Sequence, residues 1–222
     1  MAIPRADGAE HPPVTTTMDG SPLSGKQLAR RDRVIQAALE LGAEGGYEAV
    51  NMREVANRAR VALGTIYRYF GSKDHLLAAA MVEWSGQLQG RLAQVPARGA
   101  TPADRLVDVL RRGCRALERH PVLTAALVKA LASAEPGVAA AAAEVRGHIT
   151  AMTGSIVVGV SDDELEGIIA VLQHVWYSSL TSWASGRTPL STVGDELERA
   201  ARLLLAAHPH LGGQMARSRP TQ

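Results

Sequence analysis

The sequence is short of the features that announce a secreted, membrane-bound or catalytic protein. Its single cysteine, Cys114, cannot form an internal disulfide, which fits a reducing compartment. Nowhere does it hold the ~18 uninterrupted apolar residues that a membrane-spanning helix needs. Pro4, Asp7, Glu10, Pro12 and Pro13 stand where a secretory signal would have its apolar run, so a cytoplasmic protein with no membrane partner is expected. A Gly-x-Ser-x-Gly elbow, a phosphate loop and a Gly-x-Gly-x-x-Gly turn are all missing, and Asp162-Asp163-Glu164 reads as an acidic helix start. His148 and His174 have no second ligand at metal spacing, so no metal site is expected. An enzyme is the poorest of the available classes. Aromatic residues are scarce at 4%, which makes their positions worth following.

What is present is ordinary in amount and uneven in placement. Of 222 residues, 46% are hydrophobic and 21% charged, as in a folded globular protein. That length buries roughly 70% of the unfolded surface, so a core needs no staple. Net charge is +2, but residues 26–75 hold nine Lys/Arg against six Asp/Glu, while residues 1–25 are net acidic. A local basic excess suits phosphate contact, although solvated helix faces account for it equally well.

Residues 1–25, with Pro4, Pro12, Pro13, Pro22 and three consecutive threonines, read as a disordered tail, and 211–222 as a second flexible tail. Between them nearly everything has a helical period, and no sustained polar/apolar alternation suggests a strand. The first helix is expected over about 26–44, stopped by Gly45-Gly46. A short helix opens at Asn51, with Glu54 three residues on, and a third covers 63–70. Ser72 caps a longer one running from Lys73 into the nineties. Thr101-Pro102-Ala103-Asp104 restarts the chain with a capping hydroxyl, proline at the first helical position and an acid in the first turn. Further helices are expected at about 121–133, 137–158, 163–185 and 191–207. The fold class is therefore all-α, about nine helices, with a three-helix head over 26–72 and a helical body over 73–210.

The informative segment runs from Glu48 to Phe70. Two short helices joined by a tight turn at Arg60–Ala62 must cross steeply, which is the helix-turn-helix arrangement. Ala56 and Ala59 allow close approach, and Val61 and Ile66 plug the corner. Such a pair sets its second helix in a DNA major groove about 12 Å wide. Ala62, Leu63, Gly64 and Thr65 then face base edges, Gly64 permitting close approach. Arg53 offers a guanidinium fork for guanine or phosphate. Tyr67 and Tyr69 offer hydroxyls to phosphates, and Lys73 sits at the positive start of the next helix. Phe70 and Tyr47 read as fillers of the head's small core.

These residues carry a family resemblance. Gly46-Tyr47, Met52-Arg-Glu-Val-Ala, Val61-Ala-Leu-Gly-Thr-Ile-Tyr-Arg-Tyr-Phe and Ser72-Lys73 fall in order and spacing across Arg33 to Leu77. The stretch resembles the DNA-binding head of the tetracycline-repressor (TetR) family. The resemblance implies a homodimeric repressor that binds double-stranded DNA at a palindromic operator and is released by a small-molecule effector. It places the base and phosphate contacts on Arg53, Leu63, Gly64, Thr65, Tyr67, Tyr69 and Lys73. One departure is Gly42, where members often carry phenylalanine, which leaves the head's core less filled. Leu63 and Gly64 are apolar where some relatives hydrogen-bond, so specificity leans on Arg53, Thr65 and DNA shape.

In the body, His120-Pro-Val-Leu-Thr-Ala-Ala-Leu and Val175-Trp-Tyr-Ser-Ser-Leu-Thr-Ser-Trp are similar to a narrower group, the actinobacterial repressors of cholesterol catabolism. That implies a hydrophobic, steroid-type effector, a coenzyme A thioester of a sterol breakdown product being one form, and control of lipid or steroid genes. No permanent cofactor is implied. The residues alone support only an apolar cavity between about 101 and 185, with Leu123, Leu127, Met152, Trp176, Tyr177 and Trp183 as candidate lining. In so alanine-rich a body, large aromatics such as Trp176, Tyr177 and Trp183 are more often core than pocket, and the two roles can coexist. Arg111, Arg112, Arg115 and Arg119 could meet an anionic effector, a solvated face being the plainer reading. The last two helices are expected to pair with their symmetry mates as a four-helix bundle through Leu172, Leu180, Leu197 and Leu204. The rival to a repressor is a helical ligand-binding or protein-interaction module without DNA function, which has no need of Arg53, Thr65 and Tyr67 where they stand.

Overall fold

The computed structural model describes residues 23–157 and 160–206, so both expected tails lie outside the described residues apart from 23–25. Nine helices and no strand occur among them: α1 (Gly25–Ala49), α2 (Met52–Ala59), α3 (Leu63–Tyr67), α4 (Lys73–Ala93), α5 (Pro102–Glu118), α6 (Pro121–Leu131), α7 (Pro136–Gly154), α8 (Asp162–Ala184) and α9 (Ser191–Ala206). None is long and apolar enough to cross a membrane.

The ends follow from local chemistry. Asn51 accepts the Glu54 N–H at 2.9 Å, and Thr101 accepts the Asp104 N–H at 3.1 Å while its own hydroxyl donates to the Asp104 carboxylate at 2.8 Å. Ser161 and Glu164 repeat that reciprocal bonding at the start of α8. Each such cap satisfies orphan N–H groups and is worth ~1 kcal/mol. Three boundaries differ from the sequence expectation. The break expected after residue 44 is a kink, because Gly46 takes a left-handed φ of 70° and a last helical turn then continues to Ala49. α3 ends at Tyr67 rather than 70: Tyr69 and Phe70 both donate to the Ile66 carbonyl, at 2.8 and 2.9 Å, in a turn that rolls their rings inward. α7 stops at Gly154 rather than 158.

The chain forms two compact units. Of the described residues, one unit comprises 23–87 together with His120–Val145, and the other Leu88–Arg119 together with 146–157 and 160–206. The first therefore holds α6 and the start of α7 beside the three-helix head. Its core includes Val34, Ile35, Val50, Val55, Ile66, Phe70, Leu76 and Leu77, all at most 1% exposed. α6 packs along α1, and a Cβ placed on Gly42 would lie 2.8 Å from Leu123 Cδ1. The space beside Gly42 is thus occupied by a leucine from α6, which corrects the expectation of an underfilled core. In the second unit α9 packs against both α5 and α8. Leu106, Leu110, Leu117, Leu172, Leu197 and Ala201 are buried there. Arg111 pairs with Asp195 at 3.1 Å and with Glu198, and Arg202 ties Glu198 at 2.9 Å to Asp104 at 3.0 Å. These partly exposed pairs add little stability individually and mainly fix register.

Candidate nucleic-acid interface and ligand cavity

The interface is built on a buried anchor. Ile66 is fully buried, and with it Tyr69 (4% exposed) and Phe70 (1%) hold one side of the α3 region in the core. The turn before α3 depends on Arg60, in the left-handed region at φ 55°, ψ 50°, whose N–H donates to the Ala56 and Asn57 carbonyls. Val61 N–H adds a bond to Ala56 O at 3.0 Å. The backbone thus reverses within three residues and α3 starts at once, with Thr65 N–H on Ala62 O at 2.8 Å.

With Ile66 inward, the outward side is Leu63, Gly64, Tyr67 and Arg68. Gly64 is exposed, and a Cβ placed on it meets nothing within 4 Å, so no packing among the described residues requires glycine there. Tyr67 is 49% exposed, an unusual position for an aromatic in a chain that has so few. Leu63 and Thr65 are half-buried, and Arg53 on α2 is exposed. Arg53 has no ion-pair partner among the described residues, whereas Arg58, on the same helix, is paired with Glu44 at 2.6 Å.

Two expected phosphate contacts are already engaged. Tyr69 is buried, and its hydroxyl accepts from the Arg68 guanidinium at 3.3 Å while that group lies 5.3 Å from the ring centroid. Lys73 Nζ donates to the Tyr47 carbonyl at 3.1 Å and sits 3.7 Å from the Tyr47 ring centroid. Tyr47 is accordingly a half-buried bracket rather than a plain core filler. Lys129 of α6 also lies over its ring at 4.1 Å and pairs with Glu48 at 2.9 Å. The Tyr47 hydroxyl donates to Asp74 at 2.5 Å, and burial together with that carboxylate pushes its pKa up to about 12. Arg68, exposed beside Tyr67, was missed by sequence reasoning; a cation directly after that tyrosine is the signal that could have found it. Buried Arg31, 5.5 Å from the Phe70 ring centroid and with its pKa lowered by burial, had no sequence signal, since it lies among basic residues of an apparently solvated helix start.

The second unit contains a cavity of about 370 Å³. Its walls are Gln89, Leu92 and Ala93 of α4, Val95, Pro96 and Ala97 of the following loop, Arg105 and Val109 of α5, and Ala151, Met152, Ser155 and Ile156. Of the six expected lining residues only Met152 is among them. Leu123 and Leu127 are buried in the first unit. Trp176 is buried, and a Cβ on Gly113 would come within 3.3 Å of its ring. Tyr177 is 47% exposed and Trp183 half-buried. Arg112, considered for an anionic ligand, donates to the Val95 carbonyl at 3.1 Å and forms an ion pair with Asp108 at 3.0 Å, holding the loop wall, and Arg111 is used by α9. Arg115 and Arg119 are exposed. Leu172, Leu180 and Leu197 are buried inside the single chain and Leu204 is half-buried, whereas Val171, Tyr177 and Leu203 (69%) are the exposed apolar residues of α8 and α9. Among the described residues no cluster of His, Cys, Asp or Glu gathers as a metal site would require.

Comparison with known proteins is consistent along the chain. Residues 34–80 match the family described as bacterial regulatory proteins, tetR family, and residues 99–204 the tetracyclin repressor-like C-terminal domain. The chain is similar to the HTH-type transcriptional repressor KstR of Mycobacterium tuberculosis, at 36% identity over 82% of this chain and 83% of that protein. It is likewise similar to KstR of Rhodococcus jostii, at 38% identity over 82% and 85%. Among solved structures, a TetR transcriptional regulator from Rhodococcus sp. RHA1 superimposes with a TM-score of 0.69 at 31% identity, over 81% of this chain and 97% of that one. Thermus thermophilus FadR, a repressor solved in complex with lauroyl-CoA, shares the fold with a TM-score of 0.66 at 24% identity, over 86% and 98%.

Proposed function

The chain belongs to the TetR family of bacterial transcriptional regulators, and from that premise we propose that it is a cytoplasmic homodimeric repressor of lipid or steroid catabolism genes, released from a palindromic operator by a small hydrophobic effector. The observation that carries the DNA-binding half is the outer side of α3. Gly64 has open space around it and Tyr67 stands half in solvent, on a helix anchored from behind by Ile66. Nothing among the described residues asks for a glycine and an exposed tyrosine there, whereas a groove wall does. Arg53, Leu63, Gly64, Thr65 and Tyr67 meet bases and phosphates in this reading. Tyr69 and Lys73 reach phosphates only from the bonds they already make with Arg68 and Tyr47. The partner subunit supplies a second α3 one DNA turn away, ~34–36 Å. The two KstR relatives are named as repressors, and FadR holds an acyl-CoA within a related fold. The steroid class rests on the motifs around His120 and Val175. An effector acts only through a difference in affinity between the DNA-competent and incompetent states.

The test is fluorescence anisotropy of labelled DNA from upstream of the protein's own gene. Binding should fall steeply with salt as counterions are released. Arg53→Ala and Tyr67→Phe should weaken it while circular dichroism stays unchanged. A flat salt response, or no retention of any genomic fragment in a selection, would leave the chain a ligand-binding module without DNA function.

A further inference from the structure

The turn that follows α3 is fastened to the start of α7 within the first unit, and one ring carries much of the fastening. Directly after Phe70, the Gly71 N–H donates to His75 Nδ1 at 3.3 Å. The half-buried His75 ring meets Phe70 edge to face, with centroids 5.6 Å apart and planes at 81°. It also meets Gly137 of α7, where an added Cβ would lie 2.9 Å from Cγ, Cδ2 and Cε1 alike. Three ring atoms at one distance put the ring face over the glycine, so a side chain there would displace the ring. Beside it the Ser72 hydroxyl accepts from the His75 N–H at 3.0 Å and donates to the Glu135 carboxylate at 2.6 Å. The Glu135 carbonyl in turn opens α7, accepting from the Val138 and Ala139 N–H groups at 3.0 Å. Phe70, at the centre of this clasp, is one of the three residues that hold α3 from behind.

We infer that the clasp is proton-sensitive: neutral His75 fastens the turn after α3 to α7, and a proton on the ring releases that turn and weakens the hold of α3 on DNA. The neutral ring offers Nδ1 as an acceptor to Gly71, whereas both nitrogens of an imidazolium are donors, so that N–H would face N–H. Burial is the chief influence on the ring and lowers its pKa from the ordinary 6.5. Glu135, on the α7 side, pulls the other way, and Arg31 of α1 adds to the lowering. The charges next to His75 on α4 are engaged elsewhere: Asp74 accepts from the Tyr47 hydroxyl, and Lys73 donates to the Tyr47 carbonyl. Arg31 is itself faced by Asp32, Glu83 and Glu144. The unfolded ring takes its proton near pH 6.5 and the folded ring only below that. The stability that His75 contributes is therefore complete above pH 6.5 and is lost as pH falls toward the folded value. The clasp belongs to the chain whatever its function, while the effect on DNA rests on the repressor reading.

The experiment follows the full chain between pH 7.5 and 5.5 by three measurements. These are the histidine ring signals in NMR, the urea midpoint, and anisotropy with the labelled upstream DNA. His75→Asn keeps an acceptor near the Nδ1 position but does not titrate, so it identifies the His75 signal and serves as the reference. That signal should titrate below pH 6.5, and acidification should lower the wild-type urea midpoint more than that of His75→Asn. The wild type should also lose more DNA affinity than the variant over this range. The excess is bounded at about tenfold, since a free histidine of pKa 6.5 is about ten to one protonated at pH 5.5. Gly137→Ala, which displaces the ring, should weaken DNA binding already at pH 7.5. A His75 signal that titrates at or above pH 6.5, or a pH dependence of DNA affinity equal in wild type and His75→Asn, overturns the inference. Should His75→Asn fail to fold, His75→Phe keeps a ring against Phe70 and Gly137 and takes its place as the reference. No DNA binding at any pH removes the repressor reading, and the ring signal and urea midpoint then still decide the clasp.

Discussion

Substitution of Gly42 by alanine tests whether α6 fills the head. The added Cβ would stand 2.8 Å from Leu123 Cδ1, well inside the ~3.5–4.0 Å contact distance of two carbons. A methyl at the end of a leucine usually swings away, but Leu123 is only 2% exposed and has little room to do so. Helix propensity alone would favour alanine over glycine by ~1 kcal/mol, whereas overpacking a tight core costs ~1–3 kcal/mol. The net effect expected for Gly42→Ala is a loss of about 0–2 kcal/mol. Leu123→Ala alone should cost ~2.7–5 kcal/mol through transfer and cavity terms. In that background the clash is gone, so Gly42→Ala should become stabilising by ~1 kcal/mol. The coupling between the two sites, about 1–3 kcal/mol, is read from urea unfolding followed by circular dichroism on all four proteins. Additivity within ~0.5 kcal/mol would refute the contact and return the head to an underfilled core.

Gly64→Ala should raise thermal stability by up to ~1 kcal/mol, because the new methyl meets no described residue, yet weaken DNA binding in the anisotropy assay; unchanged DNA affinity would place the contact surface elsewhere. Burial pushes the Cys114 thiol pKa from 9.0 up to about 12. The unfolded thiol thus ionises first, and its contribution, complete below pH 9, should be lost between pH 9 and 12 at no more than about 1.4 kcal/mol per unit. Cys114→Ala should flatten that part of the stability curve, and an identical slope in both proteins would contradict it. Leu203→Glu, at a site 69% exposed, should leave the unfolding transition of a dilute sample unchanged while shifting sedimentation from dimer to monomer. Leu197→Ala, fully buried, should lower stability by ~2–5 kcal/mol, and a dimer that persists in Leu203→Glu would exclude that face.

The helices were legible because their signals are local. Thr101-Pro102-Asp104 and Asn51 with Glu54 each place a capping acceptor three residues from an N–H, and the structure uses both; at the acidic start of α8 the cap is Ser161, which the sequence reading did not name. The reversal at Arg60 was legible for the same reason, although a left-handed arginine has no marker of its own. What escaped was information held between distant residues. Gly42 looks like a gap until Leu123 arrives from α6, and Tyr47 looks like filling until Lys73 and Lys129 meet its ring. The cavity escaped for a different reason. Periodicity identifies side chains that avoid water, as Trp176 and Leu127 do, but a cavity is defined by what does not fill it, and neither residue lines it. Its wall is the loop bearing Val95 and Pro96, held by Arg112, in a stretch that reads as a mere linker.

The same limit governs the expected dimer face. A stripe at threes and fours marks the side of α8 and α9 with the most apolar area, and that side is drawn first into the chain's own core, as Leu172, Leu180 and Leu197 show. A helix that also meets a second subunit needs a second, thinner stripe, which hydrophobic ranking places below the first. Val171, Tyr177 and Leu203 form such a remainder, each more than 40% exposed in the single chain. Scattered singly they would require no explanation, and a four-helix bundle with a symmetry mate would bury only those that share its face.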